Sequence, residues 1–150
     1  MRTIFGLAAA AFLLAAPVNE AAAAGVSKET IAETLEMQGY SVSDFQPNMI
    51  LVEVGEVNIL VGVFGSDNDI SYFTYLSDVS LNEVSHEFLS KFNSEVKFGR
   101  AYIDRDGDVT IQMDRNSSGG VSLKNIESDF DVFLLLVSKF LSDIESQGSV

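Results

Sequence analysis

Apolar and polar positions change their period along the chain, and each change marks an element. Val26, Ile31 and Leu35 share one helical face over a segment running from Ser27 to Gln38. Ser27 can cap that helix, Glu29 and Glu33 suit its positive end, and Gly39 can close it. Residues 41–46 read as a short strand ended by Pro47. Met49 to Phe64 reads as a hairpin whose register follows from its apolar positions. With Gly55-Glu56 in a two-residue turn, glycine first, Val54 faces Val57, Val52 faces Ile59 and Ile50 faces Val61, all on one side. A slip of one residue would mix these with Glu53 and Asn58. The opposite side carries Leu51, Leu60 and Phe64 beside Glu53 and Asn58, so it is only partly polar. Gly65 to Asp69 is a polar turn, and Ile70 to Ser77 an aromatic-rich strand.

A second helix is expected from Leu81 to Glu95, with Ser80 and Glu83 as a capping box and Leu81, Val84, Phe88, Leu89 and Phe92 as its buried stripe. Gly99 to Asp114 predicts a second hairpin. A three-residue turn with Gly107 left-handed pairs Ile103 with Val109 and Ala101 with Ile111, gathering the apolar residues on one face. A two-residue turn would scatter them. After a loop at 116–120, Ser122 caps a long helix to about Ser146, with Ile126, Phe130, Phe133, Val137, Phe140 and Ile144 at alternating steps of four and three. Leu134, Leu135 and Leu136 widen that stripe. The order predicts an α+β fold: an antiparallel sheet of five or six strands with helices mainly on one face.

The N-terminus has a different pattern. Arg2 is the only charge before Glu20, residues 4–16 are apolar, Pro17 breaks the run, and Ala21 to Ala24 offer small residues at the spacing signal peptidase reads. The run is about 13 residues, roughly 20 Å as a helix, too short for a bilayer core of about 30 Å. Residues 1–24 are therefore expected to be a secretory signal peptide, and residues 25–150 the mature domain. The periplasm is the expected compartment, with full export an alternative, and no stable membrane insertion is expected.

Charge narrows the partners. Twenty-two acidic residues stand against nine basic ones, for a net charge of −13. A nucleic-acid binder needs a basic footprint, so nucleic acid is not an expected partner. The chain lacks cysteine and has one histidine, which excludes thiolate metal sites and most imidazole-rich ones. Asp104, Asp106 and Asp108 around Gly107 suggest a calcium loop, but the glycine spacing is wrong and turn chemistry accounts for them. His86 lies nearly opposite the buried stripe of its helix, which suits a solvated position. Asn116-Ser117-Ser118 reads as loop composition. There is no nucleophile elbow, phosphate loop or zinc spacing, so neither enzymatic activity nor a cofactor is expected.

One run of motifs carries a family resemblance. It comprises Lys91-Phe92-Asn93, Arg100-Ala101-Tyr102-Ile103-Asp104, Asp106-Gly107-Asp108, Met113-Asp114 and Gly119-Gly120-Val121-Ser122. In spacing and order these resemble the YbjN-like family of bacterial sensory transduction regulators. Phe92 stands where tryptophan is common. The resemblance implies a fold similar to type III secretion chaperones, which are small, acidic, usually dimeric and non-enzymatic, and which hold extended segments of partners on apolar surfaces.

Together these readings predict a periplasmic binding or regulatory protein that holds a protein partner or a second copy of itself, as a homodimer. The candidate contact residues are Leu51, Leu60, Phe64 and Leu135. The alternative is a small apolar ligand held between the sheet and the last helix, near Phe130 and Phe133.

Overall fold

The computed structural model of the chain describes residues 25–77, 79 and 84–147. Its elements run α1 (Lys28–Met37), β1 (Ser41–Gln46), β2 (Met49–Val54), β3 (Val57–Phe64), β4 (Asp69–Leu76), α2 (His86–Glu95), β5 (Gly99–Ile103), β6 (Val109–Arg115) and α3 (Leu123–Gln147). The six strands form one antiparallel sheet in the order β1-β2-β3-β4-β6-β5. The first four strands meander. The chain then crosses through α2 to the far edge, and β6 returns inside β5.

Both hairpins take the registers expected from their apolar positions. Val54 pairs with Val57, Val52 with Ile59 and Ile50 with Val61. Gly55 has φ 61°, as the first residue of a type II′ turn requires. Ile103 pairs with Val109 and Ala101 with Ile111. Gly107, at φ 93°, completes the bulged turn between them. The Asp104 carboxylate accepts the backbone N–H groups of Asp106 at 3.0 Å and Asp108 at 2.9 Å, so it braces its own turn.

Of the three helix starts that the sequence predicts, two stand where expected. Ser27 Oγ accepts the Thr30 N–H, and Ser122 Oγ accepts the Asn125 N–H. The second helix begins five residues later than anticipated. Its N-cap is Ser85, whose Oγ accepts the Phe88 N–H at 3.1 Å. The anticipated Ser80–Glu83 box and Leu81 lie outside the described residues. Val84, Phe88, Leu89 and Phe92 are buried as expected. His86 is the exposed first residue of α2.

One face of the sheet carries the main core. Ile50, Val52, Ile59, Val61, Ile70, Tyr72, Ala101, Val109, Ile111 and Met113 pack there against Ile31 and Leu35 of α1, Phe88 and Phe92 of α2, and the α3 stripe. Edge-on ring contacts tie Phe140 to Phe88 and Phe92, and Tyr40 to Phe130. All three helices thus lie on one side. Among the described residues no helix is long and apolar enough to cross a membrane.

Candidate functional site

The other face of the sheet has no helix over it among the described residues, and strand parity dictates what it shows. Leu51 pairs with Leu60, Leu60 with Phe73, Phe73 with Gln112, and Gln112 with Arg100. These side chains form one row across five strands. Met49, Leu60 and Phe73 are buried together on this face, with Leu51 packed against them, as a cluster separate from the main core. Phe45, Met49, Leu51, Leu60, Phe73 and Tyr75 line a depression of about 640 Å³ there. Phe45 and Tyr75 stay about half exposed at its margins, and the Tyr75 and Phe73 rings meet edge-on at 5.7 Å.

The β5 end of the same face is polar. Asp114 accepts hydrogen bonds from Ser71 Oγ at 2.7 Å and Gln112 Nε2 at 2.8 Å, and pairs with Arg100 at 3.1 Å. Burial pushes its carboxyl upward, but the two hydrogen bonds and the Arg100 charge outweigh that and hold it below the usual carboxylate range. Arg100 lies over the Tyr102 ring, whose hydroxyl donates to Gln112 Oε1. An apolar floor beside β1 therefore grades into a satisfied polar network beside β5.

Of the expected contact residues, three share this face. Leu51 is half-buried, Leu60 is buried, and Phe64 is exposed. The Phe64 ring folds back over Gly62, where any Cβ would lie 2.4 Å from Phe64 Cε2. Leu135 is 70% exposed, but it projects from α3 on the helical side. The sheet separates it from the other three, so the four residues do not make one patch. Reading the chain alone missed Phe45, Met49, Phe73 and Tyr75. Once Leu60 is paired with Phe73, period-two parity places Phe73 and Tyr75 beside it.

The space between the sheet and α3, considered for a small apolar ligand, is filled by side chains. Phe130 and Phe133 have no exposed surface, and their rings lie 6.4 and 6.1 Å from the fully buried Tyr72 ring. Burial, reinforced by Asp129, pushes the Tyr72 hydroxyl well above its ordinary range. At the flank lies an open depression of about 570 Å³, where Phe98 and β6 face Ser128, Asp129 and Val132. Its charged pair is internally matched, because the Arg115 guanidinium grips the Asp129 carboxylate through Nε and Nη2. No cluster of three or more histidine, aspartate or glutamate side chains among the described residues is arranged to hold a metal.

The architecture is that of a small α+β module with one helix-covered and one bare sheet face. A family model described as “Putative bacterial sensory transduction regulator” matches residues 27–146, and the chain belongs to this YbjN family. The crystal structure of YbjN from E. coli, described there as “a putative transcription regulator”, superposes with a TM-score of 0.64. The match covers 80% of this chain and 92% of that one at 14% identity, a likeness of fold. No curated protein sequence matches the chain.

Proposed function

We propose that the chain is a periplasmic, non-enzymatic regulatory protein that holds a protein partner on the helix-free face of its sheet. The observation that carries this reading is the second apolar cluster, Met49, Leu51, Leu60 and Phe73, standing outside the main core with aromatic rings at its margin. A face needed only as a lid on the core would be polar at alternate positions. Aromatic side chains supply large contact area, and methionine adapts its shape to the surface it meets.

Charge selects the kind of partner. At −13, two copies of the chain repel, and anionic membranes and nucleic acids are repelled as well. An apolar segment carrying lysine or arginine suits the surface better than a second copy does. The leader pattern of residues 1–24 supports delivery to the periplasm, with the domain beginning at residue 25.

The test is face-specific capture. Tagged wild-type protein, Leu51→Lys and Leu135→Lys are compared at low salt in periplasmic extract. The reading expects a partner retained by wild type and Leu135→Lys and lost by Leu51→Lys. Equal capture by all three, or loss only with Leu135→Lys, would remove it.

A further inference from the structure

The two edges of the sheet are finished differently, and the difference points to how a partner is held. At β5 the middle of the edge is occupied: Asn93 of α2 donates to the Ala101 carbonyl at 2.9 Å and accepts the Ala101 N–H at 2.8 Å. At β1 no described element pairs with the outer side of Ser41–Asp44, which is in regular register with β2 on its inner side. An edge strand in this condition presents a row of unpaired backbone donors and acceptors.

The side chains beside that edge differ by face. On the bare face lies the depression floored by Met49, Leu51 and Leu60 and bounded by Phe45. On the helical face runs a groove between α1 and β1, lined by Glu29, Glu33, Glu36, Val42 and Asp44. The three glutamates are exposed and recur at helical spacing along one side of α1. Lys28 is the one cation in that groove, and it is engaged with Asp44.

We infer that a partner segment adds to the sheet as a seventh strand on β1, and that its sequence alternates apolar with basic residues. This rests on the partner-holding reading above and specifies its geometry. A strand sends successive side chains to opposite faces. One set then enters the depression by Met49 and Leu51, and the other meets the glutamates of α1. The backbone bonds supply affinity that is indifferent to sequence, and the alternation supplies the selectivity. The irregularity between Asp44 and Gln46 ends the regular edge and limits the added strand to about four or five paired residues.

The probe is a labelled seven-residue peptide alternating lysine with valine or leucine, titrated into the full chain by fluorescence anisotropy. Binding should weaken at least about tenfold for Leu51→Lys and for Glu33→Lys, and should fall with added salt. The decisive arm uses the peptide N-methylated on alternate residues. Methylation of the set whose N–H groups face β1 should abolish binding, and methylation of the other set should leave it within about threefold. If both methylated peptides bind equally while Leu51→Lys still weakens them, the added strand is wrong and the bare-face reading stands. If the peptide binds and Leu51→Lys has no effect, both readings fall. A full chain that sediments as a dimer and refuses the peptide overturns the inference in favour of a second copy. A monomer that refuses it, with residues 1–24 cross-linking to β1, overturns it in favour of the chain's own N-terminus.

Discussion

The side-chain amide of Asn93 makes with Ala101 the two hydrogen bonds that a neighbouring strand would make. It accepts the Ala101 N–H at Oδ1 and donates through Nδ2 to the Ala101 carbonyl. Asn93 stands near the end of α2, and Ala101 in the middle of the edge strand β5. One amide thus ties the crossover helix to the strand it delivers and occupies the middle of that edge. The relationship also explains why an aromatic–asparagine helix end and an Arg-Ala-Tyr strand occur together in the motif run.

Replacing Asn93 by Ala should cost about 1–2 kcal/mol, since two backbone groups lose their partner at a site water can reach in part. Asn93→Asp keeps the acceptor and loses the donor, so it should lie between wild type and Ala. Urea denaturation gives the ranking, and amide exchange at Ala101 should accelerate in both variants. Unchanged exchange at Ala101 in Asn93→Ala would show that the latch is ornamental.

Gly99 is a packing glycine. A Cβ there would lie 2.5 Å from Leu136 Cδ1 and 3.0 Å from the Gln112 carbonyl oxygen. Leu136 can turn aside, but the paired backbone of β6 cannot. Gly99→Ala should therefore destabilise by about 1–3 kcal/mol, and the double variant with Leu136→Ala should not recover the whole loss. Complete recovery would place the conflict in Leu136 alone.

Phe98 adopts φ 71° and is 77% exposed, a left-handed conformation that a bulky residue rarely takes. Asparagine accepts this region more readily. Phe98→Asn should raise stability by about 0.5–1 kcal/mol, seen as a higher thermal midpoint. A drop in the midpoint would mean that the ring makes contacts worth more than the strain.

Asp114 should show as an acid-side dependence. Its folded-state carboxyl lies below the ordinary range, so its contribution is present above the unfolded value and is lost as pH falls through the depressed folded one. The group is 42% exposed, so solvent screening keeps the effect under about 1 kcal/mol. Asp114→Asn should be slightly less stable than wild type at pH 7, with the gap closing as pH falls through the depressed folded-state value. A gap that persists in acid would assign the loss to the Ser71 and Gln112 hydrogen bonds instead of the charge.

The two apolar clusters should differ in what their removal costs. Phe130→Ala opens a cavity under α3 and should cost about 3–5 kcal/mol, whereas Phe73→Ala faces a surface that water can enter and should cost clearly less. Paired chemical denaturation of the two variants checks the order. Equal losses would make the bare face a structural core and weaken its assignment to a partner.

Much of the architecture was legible in the chain because burial on one face leaves a strand only one acceptable register. Val52 opposite Ile59 and Ile103 opposite Val109 follow from that constraint, as do the capping serines 27 and 122. The start of α2 was less legible, since serines at 80 and 85 both precede helical periodicity, and the observed cap is Ser85.

The contact surface was only half legible. Period-two alternation shows that Leu51, Leu60 and Phe64 share a face, but it does not say on which side the helices will lie. That was settled by tertiary packing, which puts all three helices on one side and strands Leu135 on the far side of the sheet, while the pairing of β3 with β4 brings Phe73 beside Leu60. Local periodicity is a property of neighbours along the chain. Which face stays bare depends on contacts between residues far apart in sequence, and these exist only once the sheet has formed.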